Sequence, residues 1–122
     1  MSILISFGKK SDTIWGGQGW LYLRLRKDIE DKFVLNEEIK KIFDDGELFQ
    51  NLDIPSIEDK YKRIQIVSII KETILEIITD SKEKFMKTMG NDREGYQIYK
   101  TTLLDLLNRI ETYEQQHYPT NE

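Results

Sequence analysis

Acidic side chains are concentrated in the middle of the chain, where they could bind a positively charged partner. Residues 36–59 hold eight acids and two lysines, a net charge of −6, whereas the whole chain of 122 residues carries −4. The acids are Glu37, Glu38, Asp44, Asp45, Glu47, Asp53, Glu58 and Asp59. Between them lie the apolar residues Phe43, Leu48, Phe49, Leu52 and Ile54. Carboxylates steer association with a basic surface and aromatic side chains anchor it, so this segment is a candidate interface. The alternative is that the apolar residues pack inward and the acids only keep the surface solvated.

Familiar catalytic sets are largely excluded by the presence of a single histidine, His117, and the absence of cysteine. Arg109 and His117 are similar to the arginine-then-histidine ribonuclease motif of HEPN-type helical domains, but seven residues separate them here. This spacer is longer than that of the motif, and it places the two side chains on different faces of a helix. Glu37 and Glu38 are adjacent, so on a helix their side chains point apart and cannot act together as a general acid and base. We therefore predict a binding protein, with no catalytic residues.

A glycine-bearing stretch runs from Trp15 to Trp20 and precedes a predicted helix. Such a loop can present backbone N–H groups to a phosphate, but this one lacks the Lys-Ser/Thr pair of a P-loop and the third glycine of a dinucleotide site. We expect the glycines to let the chain reverse while the tryptophans are buried. The alternative is an exposed Trp15 that contacts the partner.

Metal, cofactor and nucleic-acid binding are not predicted. The Asp-Asp-Gly-Glu segment at residues 44–47 resembles the start of a calcium loop, but the oxygen ligands that should follow are missing. Arg24, Arg26 and Lys27 could form a basic patch, yet the pI of about 5.1 argues against a protein that follows a phosphate backbone.

The first part of the chain predicts a short strand followed by a helix. Residues 2–7 alternate apolar and other side chains as a strand does, and residues 8–19 are expected to be irregular. Residues 21–33 fit two periods, because Leu21 and Leu23 alternate with polar neighbours whereas Leu21, Leu25, Ile29 and Phe33 recur every fourth residue. We favour a helix here, since Arg, Lys, Leu and Glu are good helix formers.

Capping signals predict two helices in the middle of the chain. Asn36 is a good N-cap, and Gly46 is expected to end the helix that it begins. Residues 48–55 are expected to form a connector. Ser56 resembles a capping-box residue with Asp59 three positions later, before an Ile-rich helix that reaches residue 78 and should be the buried centre of the fold.

The last predicted helix carries an apolar stripe at alternating steps of three and four residues. The stripe consists of Tyr96, Tyr99, Leu103, Leu106, Ile110, Tyr113 and His117. This spacing is that of two packed helices, and the Ile-rich helix is the expected partner within the same chain. Gly90 and Asn91 predict the preceding stop, Asp92 the cap, and residues 118–122 a frayed tail.

Together these patterns predict one mainly α domain over residues 1–122, a bundle of about four to five helices. Residues 1–19 would form a strand and a glycine-bearing loop, residues 20–117 the helices, with a β-strand or hairpin possible in residues 2–26.

We expect a cytoplasmic monomer or weak homodimer, without a membrane span, that neutralises a basic protein. Its profile is similar to that of bacterial immunity proteins and antitoxins that block nuclease toxins. The candidate partner-binding residues are Asp44, Asp45, Glu47, Phe49, Asp53, Glu37, Glu38 and Trp15. The alternatives are a self-associating helical module and, third, an enzyme that acts through carboxylates and tyrosines.

Overall fold

The computed structural model describes residues 2–8, 13–79, 87, 90 and 92–117. Strand β1 (Ser2–Ser6) and strand β2 (Ile14–Gln18) precede helices α1 (Gly19–Lys32) and α2 (Glu37–Leu48). Strand β3 (Asn51–Asp53), a 3-10 turn (Ile54–Ser56) and helices α3 (Lys60–Thr79) and α4 (Arg93–His117) follow. The predicted mainly α fold with a short N-terminal β element is confirmed. The predicted tail at residues 118–122 lies outside the described residues.

The three strands form a small sheet in the order β2-β1-β3. Strand β1 pairs antiparallel with β2, where Ile5 is opposite Trp15, and parallel with β3, where Ile5 is opposite Leu52. These three side chains are buried and belong to one hydrophobic cluster to which each of the four described helices contributes. The predicted short N-terminal β element is therefore confirmed: it is a hairpin of β1 and β2, joined by a third strand, β3, that the sequence did not predict.

The prediction of irregular structure for residues 8–19 is wrong for strand β2. Glycine weakens a strand, but pairing with β1 overrides that local tendency. Gly16 lies where the strands approach closely, since a Cβ atom there would stand 2.9 Å from Leu4 Cδ2. Gly16 thus lets β2 fit against β1 while Trp15 is buried.

Helix α1 confirms the preference for a helix over a strand at residues 21–33. Leu21, Leu25 and Ile29 are buried, as the fourfold spacing predicts. Tyr22 is buried as well, and its hydroxyl donates a hydrogen bond of 2.9 Å to the carbonyl of Phe43 in α2. Burial raises the pKa of Tyr22. The hydrogen bond between Tyr22 and Phe43 holds α2 against α1.

Helix α2 begins as predicted but does not end at Gly46. The Asn36 side chain accepts a hydrogen bond of 2.9 Å from the Ile39 N–H, which confirms the N-cap. Gly46 lies inside the helix and is buried, because α2 crosses close to Tyr22 and Leu52 at this position. Its role is close packing, and the helix continues to Leu48.

Substituting Gly46 with alanine should lower the free energy of unfolding by about 1–2 kcal/mol, although alanine is the better helix former. The new Cβ would stand 2.9 Å from the Tyr22 hydroxyl and 3.0 Å from Leu52 Cβ. Urea unfolding measures the difference, and Lys40→Ala at an exposed position of the same helix is the control. A Gly46→Ala protein more stable than the wild type would contradict the close packing.

Helix α3 begins later than the capping-box prediction places it. Asp59 is the cap, since its Oδ1 accepts from the N–H groups of Tyr61 and Lys62 at 2.8 and 3.3 Å. The Ser56 hydroxyl instead donates to the Asp53 carbonyl, so the predicted role of Ser56 is wrong. The buried face of α3 consists of Ile66, Val67, Ile69, Ile70, Thr73, Ile74 and Ile77. The helix therefore supplies much of the core, as expected, although Tyr61 at its start is 82% exposed.

Helix α4 buries its predicted stripe within the chain. Tyr96, Tyr99, Leu103, Leu106, Ile110 and Tyr113 are all buried. The helix packs against α3, which confirms the predicted partner, and Asp92 Oδ1 caps it by accepting from the Gly95 N–H at 2.9 Å. His117 is exposed, with its ring 4.3 Å from that of Tyr113. The stripe serves the fold and is not available as a surface for self-association.

Candidate functional site: an acidic groove beside strand β3

An open groove lies between α2, β3 and the start of α3. It is lined by Ile42, Asp45, Gly46, Phe49, Asn51, Leu52, Asp53, Ser56, Ile57, Glu58, Asp59 and Lys62. We refer to it as the acidic groove, because its wall carries four carboxylates and one lysine. Its exposed apolar surface comes from Ile42, Ile57 and Phe49, since Leu52 is buried. The groove thus combines negative charge with apolar contact area.

Two large apolar side chains are exposed where α2 ends at the groove. Leu48 is 73% and Phe49 is 72% exposed. The Phe49 N–H still donates to the Asp45 carbonyl, and Gln50 then takes a φ of 58°, which reverses the chain into β3. This turn leaves Phe49 at the wall of the groove. Phe43, Leu52 and Ile54 pack inward, as the second sequence alternative predicts, whereas Leu48 and Phe49 do not.

The carboxylates of the groove differ in how far they are already engaged. Asp45 forms an exposed ion pair of 3.2 Å with Lys41, which is a weak interaction in water. Asp59 caps α3. Among the described residues, Asp53 and Glu58 form no ion pair, and both are exposed. These two carboxylates are the most readily available to a cationic ligand.

Arg26 in α1 engages two of the acids that the sequence assigned to the interface. Its guanidinium pairs with Asp44 and lies 3.4 Å from Glu47 Oε2, while its Nε pairs with Glu30 at 3.0 Å. Burial acts to lower the pKa of Arg26, but the hydrogen bonds with Asp44 and Glu30 outweigh it and raise the pKa. Asp44 and Glu47 therefore connect α2 to α1 and do not line the acidic groove.

The other predicted site residues also divide between the groove and other surfaces. Asp45, Phe49 and Asp53 line the acidic groove together. Glu38 pairs with Lys62 at 2.7 Å, and Glu37 is exposed in the first turn of α2. Sequence reasoning missed Glu58 and Asp59 as groove residues, although the count of eight acids included them.

Trp15 lies inside the fold and does not line the acidic groove. It is 1% exposed, and its Nε1 donates a hydrogen bond of 3.1 Å to the Thr102 carbonyl in α4. Its predicted burial is confirmed, and the alternative of an exposed Trp15 is wrong.

A second polar cluster lies inside the fold, between α1 and α4. The Tyr99 hydroxyl donates to Asp28 Oδ2 at 2.6 Å, and Arg24 contacts both carboxylate oxygens at 3.0 and 3.3 Å. Burial raises the pKa of Asp28 even though both neighbours favour its ionised form. Burial and the nearby Asp28 charge also raise the pKa of Tyr99. Asp28 and Tyr99 are both buried, and the hydrogen bond between them links α1 to α4.

Arg109 and His117, which were compared with the ribonuclease motif, do not contact each other. Arg109 pairs with Asp105 on its own helix at 3.2 Å, and His117 stacks on Tyr113.

Within the described ranges, no three His, Cys, Asp or Glu side chains are grouped to hold a metal ion. None of the described helices combines the length and the apolar character that a membrane span requires.

Comparison of the chain with protein-family models, with curated proteins and with solved structures found no match.

Proposed function

We propose that this chain is a small acidic binding protein that neutralises a basic protein partner through the acidic groove. The observation that carries the proposal is the exposure of Phe49 beside Asp53 and Glu58, two carboxylates without an ion pair among the described residues. Exposed aromatic side chains anchor protein interfaces, and nearby charges steer association and select the partner. An arginine of the partner would pair with a carboxylate and stack on the Phe49 ring.

The partner class that fits best is a nuclease-type toxin domain. A surface that binds nucleic acid is basic, so an acidic groove competes for it by charge complementarity. In this role the chain acts as an immunity protein or antitoxin in the cytoplasm. The absence of cysteine agrees with a reducing compartment.

The proposal predicts inhibition of a basic nuclease domain encoded beside this gene. The purified chain at an equimolar amount should suppress nucleic-acid cleavage by that domain. Replacing both Asp53 and Glu58 with lysine should slow association by about tenfold at low salt, because the groove would repel the partner. Stopped-flow association and the inhibition constant for cleavage measure the effect.

Glu72→Lys/Glu111→Lys is the matched control, since it changes the net charge equally at exposed positions outside the groove. We expect this control to inhibit within about twofold of the wild type. Equal inhibition by the two double variants at low salt would show that the acidic groove is not the interface.

A further inference from the structure

Strand β3 has one edge in the sheet and a second edge at the acidic groove. The parallel register pairs Leu4 with Asn51 and Ser6 with Asp53, and the Leu4 N–H donates to the Gln50 carbonyl at 2.9 Å. In a parallel ladder of this register, the backbone N–H and C=O of Leu52 point toward β1. The backbone groups of Asn51 and Asp53 therefore point the other way, and both residues line the acidic groove.

This outer edge retains hydrogen-bonding capacity. The Asp53 carbonyl accepts from the Ser56 hydroxyl at 2.8 Å. Within the described part of the chain, the N–H groups of Asn51 and Asp53 have no protein acceptor. An open strand edge is a template for an added strand, and main-chain hydrogen bonds then supply affinity.

We propose that an extended segment of the partner, with basic residues at alternate positions, adds to the outer edge of β3 as a fourth strand. The inference rests on the proposed function, because it specifies how the acidic groove holds its ligand. The charge of the wall selects a cationic segment, and side chains on one face of an added strand recur at every second residue. Basic side chains on one face would lie near Asp45, Asp53 and Glu58, and an apolar side chain would contact Phe49.

A pair of synthetic peptides separates strand addition from attraction between charges. The probe is a fluorescein-labelled peptide of four Lys-Val repeats, and its control carries an N-methyl group on every backbone nitrogen with the same side chains and charge. The unmodified peptide should bind at least about tenfold more tightly in anisotropy titrations, since the methyl groups remove the backbone donors of both edges. It should also slow amide hydrogen exchange at Asn51 and Asp53.

Two variants of this chain test the hydrogen bond that the Asp53 N–H would donate to the added strand. Asp53→Pro and Asp53→Asn both remove the charge, but only proline removes the outward N–H, and proline is tolerated at the free edge of an edge strand. Asp53 has a φ of −92°, close to the range of proline. We expect the two variants to unfold at similar urea concentrations, and Asp53→Pro to bind the unmodified peptide about tenfold more weakly than Asp53→Asn.

The outcomes distinguish the two proposals. If the N-methylated peptide binds as tightly as the unmodified one, and only Asp53→Lys/Glu58→Lys weakens both, strand addition is wrong and the acidic groove stands. If that double variant binds both peptides as the wild type does, the acidic groove itself is wrong. If neither peptide binds at millimolar concentration, strand addition of a basic segment is overturned.

Discussion

Replacing Trp15 with alanine should lower the free energy of unfolding by roughly 3–5 kcal/mol, one of the two largest losses that we expect for a single residue of this chain. The indole is 1% exposed and lies on strand β2, while its N–H reaches the Thr102 carbonyl in α4. Truncation therefore opens a cavity between the sheet and the last helix and removes a hydrogen bond between them. Urea unfolding measures the loss, and the melting temperature should fall by roughly 10–20 °C.

Trp20 is the matched control for this prediction. It lies at the start of α1 and is 36% exposed, and its N–H donates to the Gln18 side chain at the surface. Trp20→Ala should cost about 1 kcal/mol, because part of its ring is already in water. Equal losses for the two variants would contradict the burial of Trp15. Trp15→Phe should leave the affinity for the proposed partner unchanged, since the Trp15 side chain is buried.

Local signals in the sequence predicted most of the helical structure. Asn36 and Asp92 cap the helices that they were expected to cap, because an N-cap depends on a side chain and on amides within three residues of it. The stripe from Tyr96 to Tyr113 is buried, because its period encodes one helix face. Gly46 shows the limit of such rules. Its neighbours Tyr22 and Leu52 come from other parts of the chain, and packing against them explains a glycine that looked like a helix end.

The candidate site was predictable in its charge but not in its geometry. The count of acids located the segment that supplies most of the acidic groove, yet it gave no means of telling Asp44 from Asp45. Asp44 pairs with Arg26 of α1, whereas Asp45 lines the acidic groove. That difference depends on the direction in which α2 crosses α1. Strand β3 was missed because it has only three residues and pairs with β1 from 45 or more residues away, so no local period marks it.

Replacing Asp28 with alanine should lower the free energy of unfolding by about 3 kcal/mol at neutral pH. Asp28 is 7% exposed and accepts hydrogen bonds from Tyr99 in α4 and from Arg24 one turn earlier in α1. Without the carboxylate, the buried Tyr99 hydroxyl loses this acceptor and the link between the two helices is broken. Urea unfolding at pH 7 measures the effect.

Tyr99→Phe separates the hydrogen bond from the packing of the ring. The phenyl ring keeps the contact with Trp20, whose ring centroid lies 6.4 Å away, but it cannot donate to Asp28. We expect a loss of about 1–2 kcal/mol, smaller than that of Asp28→Ala, because Arg24 still faces the carboxylate. A loss in Tyr99→Phe as large as in Asp28→Ala would mean that the hydroxyl bond carries the whole contribution of the cluster.

The pH dependence of Asp28→Asn tests which force dominates in this cluster. Burial raises the pKa of Asp28 above its ordinary value of about 3.9, so the unfolded chain releases this proton at a lower pH than the folded protein does. The favourable contribution of protonated Asp28 is complete below that ordinary value and is lost as the pH rises through the raised pKa. Asparagine carries no such proton, so the stability of Asp28→Asn relative to the wild type should increase between pH 4 and 7, as measured by urea unfolding across that range. A decrease would mean that Arg24 and Tyr99 outweigh burial and that the pKa of Asp28 is lower in the folded protein than in the unfolded chain.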